Sequence, residues 1–147
     1  MKKLTIALVA HDFRKSDMVD WAVFNADMLS RHHLVCTGTT GGLIADAFAK
    51  RGITAEITCM NSGPMGGDAE IAALVVRHKI DLAVFLIDDL NAQPHEADIQ
   101  MLLRQCRIHN VPIACNRYSA DLMMTSTLWN NPDYTPLEPS YVKFERK

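Results

Sequence analysis

The chain has 147 residues, 48% hydrophobic and 22% charged, with a formal net charge of −2 at pH 7. That length suits one domain, residues 1–147, with a sizeable core, and the composition excludes disordered and fibrous classes. The near-neutral charge, without a basic block, excludes the electrostatic footprint of a nucleic-acid binder.

Residues 4–10, rich in aliphatic and β-branched types, read as a buried strand; the stretch is too short for a membrane span and lacks a signal-peptide pattern, so the cytoplasm is expected. From Asp17 to about Arg31 the apolar positions Val19, Ala22, Val23, Ala26 and Leu29 follow helical spacing. Leu34-Val35-Cys36 is a short strand, and Gly41 to Arg51 a helix stopped by Gly52. Residues 55–60 form a third strand, followed by a Gly/Pro-rich loop from Asn61 to Gly67 and a helix over 68–79. Asp81 to Ile87 is the continuous apolar run of a central parallel strand. Ile99, Leu102, Leu103 and Cys106 mark the next helix, Val111 to Cys115 a fifth strand, and Ser119 to Thr127 a short helix. From Asn130 a tail with Pro132, Pro136 and Pro139 is expected to be extended over the surface. The fold class is α/β: a single five-stranded, mostly parallel sheet with helices on both faces, in three layers.

Cys36, Cys59, Cys106 and Cys115 have no C-x-x-C spacing and are expected as small buried thiols in a reducing compartment. His32-His33, at a helix end, is expected at the surface.

Ligands of open parallel sheets bind beyond the carboxyl ends of the strands, and four such loops here carry unusual polar residues. After the first strand come His11, Asp12 and Lys15; Lys15 is either a point charge for an anion or a solvated lysine. After the second, Thr37-Gly38-Thr39-Thr40-Gly41-Gly42 either cradles a phosphate with hydroxyls and helix-start N–H groups or caps a helix. After the third, Ser62 to Gly67 either aims N–H groups at an oxyanion or is an elaborate turn. Asp68 then opens a helix as a general base, ionised there by the helix dipole, or as an ordinary first-turn acid. After the fourth come Asp88, which needs partners at a strand end, and His95 with Asp98. A neutral His95 imidazole could stabilise an enediolate, or the pair could be a cap with a surface acid. His11, Asp12, Asp88, His95 and Asp98 match no standard zinc spacing, and no metal is expected.

Ile6 to Asp12, Thr37 to Gly41, Ser62-Gly63-Pro64-Met65-Gly66-Gly67-Asp68, Asn91 to His95 and Val111 to Asn116 together resemble the methylglyoxal synthase family, over about residues 6–127. The resemblance implies a homohexameric, cytoplasmic lyase that converts dihydroxyacetone phosphate to methylglyoxal and inorganic phosphate without cofactor or metal. Inorganic phosphate, the product, is a candidate regulator. The resemblance places the base on Asp68, substrate-binding histidines on His11 and His95, and phosphate contacts on Lys15, Thr37, Gly38, Thr39, Thr40, Ser62 and Gly63, with Gly66 beside them. Asp12, Asp88 and Asp98 match further active-site carboxylates. The sequence departs from the family pattern in a longer Gly41–Asn61 segment, in Gly42, Asp89 and Cys115, and in its tail. A sensor module of the same fold would need neither Asp68 nor His95. An isomerase would form the same enediolate but hold the C–O bond to phosphate in its plane.

Overall fold

The computed structural model describes residues 2–137, 139 and 140; Met1 and the end of the tail, and with them the ends of the 1–147 domain assignment, lie outside the described residues. Five strands, β1 (Thr5–Ala10), β2 (His33–Cys36), β3 (Glu56–Cys59), β4 (Leu82–Leu86) and β5 (Ile113–Ala114), form one parallel sheet in the order β3-β2-β1-β4-β5. Successive side chains of a strand point to opposite faces, and both faces of the central strands are apolar. Ile6, Leu8 and Ala10 of β1 pack with Leu34, Val84 and Leu86 under α1 (Lys15–Phe24), α3 (Gly38–Ala49) and α6 (Arg117–Thr125). Ala7 and Val9 pack with Val35, Ala83 and Phe85 under α4 (Gly67–Val76) and α5 (Glu96–Ile108). This is the expected three-layer architecture.

Several expected elements are shorter or shifted. The helix read over 17–31 is broken at Asn25 into α1 and α2 (Ala26–Leu29): the Asn25 side chain donates to Trp21 O at 3.0 Å and competes with the helical ladder. Helix α3 starts three residues before the expected Gly41, because Thr37 has the extended backbone of an N-cap residue and Gly38 is already helical. Its expected stop is kept, Gly52 having φ 67°. Strand β5 shrinks to two residues at the sheet edge. The tail is not simply extended: Tyr134 N donates back to Asn131 O at 3.1 Å in a turn, and Asn110 Nδ2 donates to Leu137 O at 2.7 Å.

Two surface expectations are corrected. His32 is fully buried, its Nδ1 accepting the Leu4 N–H at 2.9 Å and its ring set edge-on to Trp129. Only Cys36 and Cys106 are buried thiols; Cys59, on β3, and Cys115, just past β5, are exposed at the two edges of the sheet, where no further strand lies beside them.

Chain connections run outward from β1 through β2 to β3, then return to β4 on the other side of β1 and go on to β5. The direction reverses between β1 and β4, where an open parallel sheet leaves a crevice at its carboxyl end.

Candidate active site

His11 leaves β1 directly into that crevice. Its backbone N–H donates to Leu86 O at 3.1 Å, so β4 fixes its main chain. Its Nδ1 accepts the Asp88 N–H at 2.9 Å. A backbone amide only donates, so the neutral ring carries its proton on Nε2, a buried atom with no hydrogen-bond partner among the described residues. Burial, then the neighbouring His95, hold the His11 pKa below the ordinary histidine value, against a pull upward from Asp88.

Lys15 opens α1, and its Nζ reaches back to donate to Ala10 O at 3.2 Å and to Asp12 at 2.6 Å. Thr40 Oγ1 contacts the same Ala10 O at 3.4 Å, which brings Lys15 beside the first turn of α3. That turn has N–H groups without helical partners, and Thr37 and Thr40 are buried within it while Thr39 is exposed. A cation beside such a helix start is a phosphate-binding arrangement.

Gly38 joins this turn to the loop after β3: its N–H donates to Asn61 O at 3.3 Å, and a Cβ on it would meet Met60 O at 3.0 Å. Ser62 to Met65 then turn tightly, with Met65 N and Gly67 N both donating to Ser62 O. A Cβ on Gly67 would lie 2.0 Å from Asn61 O, so this reversal needs glycine there. The turn delivers Asp68 to the second position of α4, fully buried. Gly63 brings backbone against the chemistry: a Cβ on it would lie 2.9 Å from His95 Nε2 and 3.2 Å from Asp68 Oδ1.

His95 precedes α5, with its N-terminal turn closed by Asp98 N and Ile99 N donating to His95 O. Its Nε2 stands 3.5 Å from Asp68 Oδ2, without the alignment of a hydrogen bond, and its ring meets that of His11 edge-on at 5.5 Å. Burial pushes the Asp68 carboxyl up to about 6, restrained by His95 and reinforced by Asp98. The helix start was expected to keep it well ionised; complete burial outweighs the dipole. Both Asp68 oxygens and both His95 nitrogens are buried without hydrogen-bond partners among the described residues. Unpaired polar groups are costly away from water, and this many converging mark a place built for a polar reactant.

The expected carboxylates therefore divide. Asp68 joins the histidines and Asp98 lies close enough to raise its pKa, but Asp12 and Asp88 do not enter the cluster. Asp12 has a 92% exposed side chain bound to Lys15. Asp88 turns back on its own loop, accepting from Leu90 N at 3.1 Å and Asn91 Nδ2 at 2.8 Å. The Asn91 bond first holds its carboxyl below the usual range.

His11, Asp68 and His95 each offer an atom within 4.8 Å of the others, close enough to share a cation. The donor set does not suit one: with Nδ1 accepting from Asp88, the neutral His11 ring has Nε2–H and no Nε2 lone pair for a metal. The cluster is instead one carboxylate beside the His11 Nε2–H and the His95 ring.

Sequence reading missed the Asp88 amide and Asn91, because a backbone donor leaves no mark on residue type. It also missed Arg14, whose guanidinium ties Ile87 O at 3.1 Å and so locks the loop after β4 to the one after β1.

Residues 17–115 match the family model described as the MGS-like domain. The chain is 72% identical over 146 residues to a methylglyoxal synthase of Treponema socranskii, covering 99% of this chain and 92% of the relative. It is 41% identical over 137 residues to one of Pseudoalteromonas atlantica, covering 93% and 98%. The crystal structure of methylglyoxal synthase from Elizabethkingia anophelis NUHP1 superimposes with a TM-score of 0.82 at 37% identity, covering 95% of this chain and 88% of that one.

Proposed function

This chain belongs to the methylglyoxal synthase family, and from that premise we infer that it is a phosphate-eliminating lyase converting dihydroxyacetone phosphate to methylglyoxal and inorganic phosphate at the crevice between β1 and β4. Asp68 takes a proton from the carbon that bears the hydroxyl group. The electrons of that C–H bond form the enediolate, whose oxygens receive hydrogen bonds from His11 Nε2 and His95. Charge developing where fixed donors already point is stabilised without reorganisation. Phosphate then leaves from the carbon on the other side of the carbonyl, the C–O bond electrons departing with it, and the enol of methylglyoxal remains. A synthase holds that C–O bond out of the enediolate plane, overlapping the π system.

Lys15, the α3 start from Thr37 to Thr40, and the Ser62–Gly63–Gly66 loop hold the phosphate. Asp12, Asp88 and Asp98 act at one remove: Asp12 holds Lys15, Asp88 closes the loop whose amide orients His11, and Asp98 raises the basicity of Asp68. The carrying observation is the fully buried Asp68 carboxylate, 3.5 Å from His95 and pushed up to about 6.

The test is incubation of purified protein with dihydroxyacetone phosphate while methylglyoxal and free phosphate are both followed. Equal release of the two, lost in Asp68→Asn, is expected. Glyceraldehyde 3-phosphate as the product would mean an isomerase, and phosphate binding without turnover would mean a sensor module.

One domain over residues 1–147, working in the cytoplasm as a homohexamer, completes the reading. Four free thiols support a reducing compartment, and no helix among the described residues is long and apolar enough to cross a membrane. Phe13, Met65 and Leu90, at least 75% exposed on loops at the carboxyl end of the sheet, support association of copies there. Inorganic phosphate fits the donors that hold the substrate's phosphate, so it regulates by occupying them.

A further inference from the structure

A separate cavity of about 790 Å³ lies at the opposite end of the sheet. Its floor is apolar: Leu4 at the entry to β1, Leu82 at the start of β4 and Cys106 in the last turns of α5 are each at most 4% exposed. Its outer wall is the segment after α6, which is pinned on both sides. Trp129 Nε1 donates to Met124 O at 3.2 Å while its ring meets His32 edge-on, and Asn110 Nδ2 holds Leu137 O at 2.7 Å. The pins carry the segment across the sheet end, and the side chains of the described residues leave the space beneath open. A volume of this size takes a small organic ligand.

The chemistry of the walls narrows the ligand. Trp129 and Tyr134 offer aromatic surface, and the floor is aliphatic. Lys2 and Arg107 bring positive charge. The one carboxylate among the described lining residues, Asp81, already accepts the Thr5 N–H at 2.8 Å through Oδ2. Aromatic and aliphatic surface under a cationic rim suits a flat apolar body carrying an anionic group. We propose that this cavity is a second binding site, for an aromatic organic anion, distinct from the site at the carboxyl end of the strands. Six residues of β1 separate the two, roughly 20 Å at strand rise. Helix α5 runs between them, with His95 at its start and Arg107 in its last turn.

The probe is 8-anilinonaphthalene-1-sulfonate, titrated into the full chain. The expected result is saturable binding of one dye per chain with quenching of Trp129 emission, and no displacement by saturating inorganic phosphate. Arg107 is exposed, so Arg107→Glu should fold with an unchanged Tm and weaken the dye about tenfold or more, a change of about 1.4 kcal/mol; Arg107→Gln should do so to a smaller degree. Displacement by phosphate, unchanged affinity in both Arg107 variants, or no saturable binding would each overturn the proposal.

Discussion

The backbone N–H of Asp88 donates to Nδ1 of His11 at 2.9 Å, so a peptide group leaving β4 decides which nitrogen of a histidine leaving β1 carries the proton. Burial lowers the His11 pKa as well, because a cationic ring there would be desolvated and would need an Nδ1–H facing another N–H. Nitrogen NMR should find His11 neutral, Nε2-protonated and in one tautomer at neutral pH. His11→Asn should cost roughly 10²–10³ in kcat/KM, the scale of a lost oxyanion donor. An Nδ1-protonated ring would contradict the role given to Nε2.

A second prediction concerns the two consequences of burying Asp68. As a base it works only when ionised, so kcat/KM should fall as pH drops through about 6, and Asp68→Asn should lose at least about 10²-fold. Stability runs the other way. The folded pKa lies above the ordinary 3.8, so the relative stability is fully present below that value and is lost as pH rises through the folded pKa. Asp68→Asn should therefore unfold at a higher temperature than the parent above pH about 6, by up to about 2–3 kcal/mol, and the gain should vanish below about 4. Thermal melts across pH check this; an Asn variant less stable at neutral pH would mean that Asp68 holds the loop together.

The glycines give a paired prediction. In Gly63→Ala the methyl group would lie 2.9 Å from His95 Nε2, pushing apart groups whose placement sets the rate. A loss of about 10² in kcat/KM is expected, since displacements near 1 Å have that effect. Gly42, exposed within α3, has nothing within 4 Å of its added Cβ, so Gly42→Ala should gain about 0.5–1 kcal/mol from helix propensity and leave kcat unchanged. Steady-state kinetics and melts on both variants separate close approach from chain stiffness.

Much of this was legible in the sequence for a physical reason. Buried parallel strands are continuous apolar runs, so β1 and β4 stood out, and turns that bring backbone close to other groups need the small residues seen in Thr37–Gly42 and Ser62–Asp68. What was not legible depends on tertiary partners. His32 reads as surface beside His33 because only the folded chain brings Leu4 N–H to its Nδ1. Asp88 reads like Asp68, a carboxylate at a strand or helix end; one turns to Leu90 and Asn91, the other faces His95. Cys59 reads like Cys36, with which it is in register, but one lies on a covered strand and the other on an edge.

The Lys15–Asp12 pair gives the last prediction. The Lys15 side chain is 17% exposed and Asp12 92%, at 2.6 Å, so the carboxylate shields a cation that the substrate phosphate needs. The bond to Lys15 holds the Asp12 carboxyl below its usual range, which keeps it ionised wherever Asp68 is. Lys15→Met should raise KM and the inhibition constant of inorganic phosphate together, by about 10–100-fold for a charge-assisted contact of roughly 1.5–3 kcal/mol. Asp12→Asn should lower both, because Lys15 loses its counter-charge, and change kcat by no more than about threefold, the mark of a group whose effect on substrate and transition state is the same. Measuring kcat, KM and phosphate inhibition on the two variants decides it: a collapse of kcat in Asp12→Asn comparable to that in Asp68→Asn would place Asp12 among the groups that touch the reacting atoms.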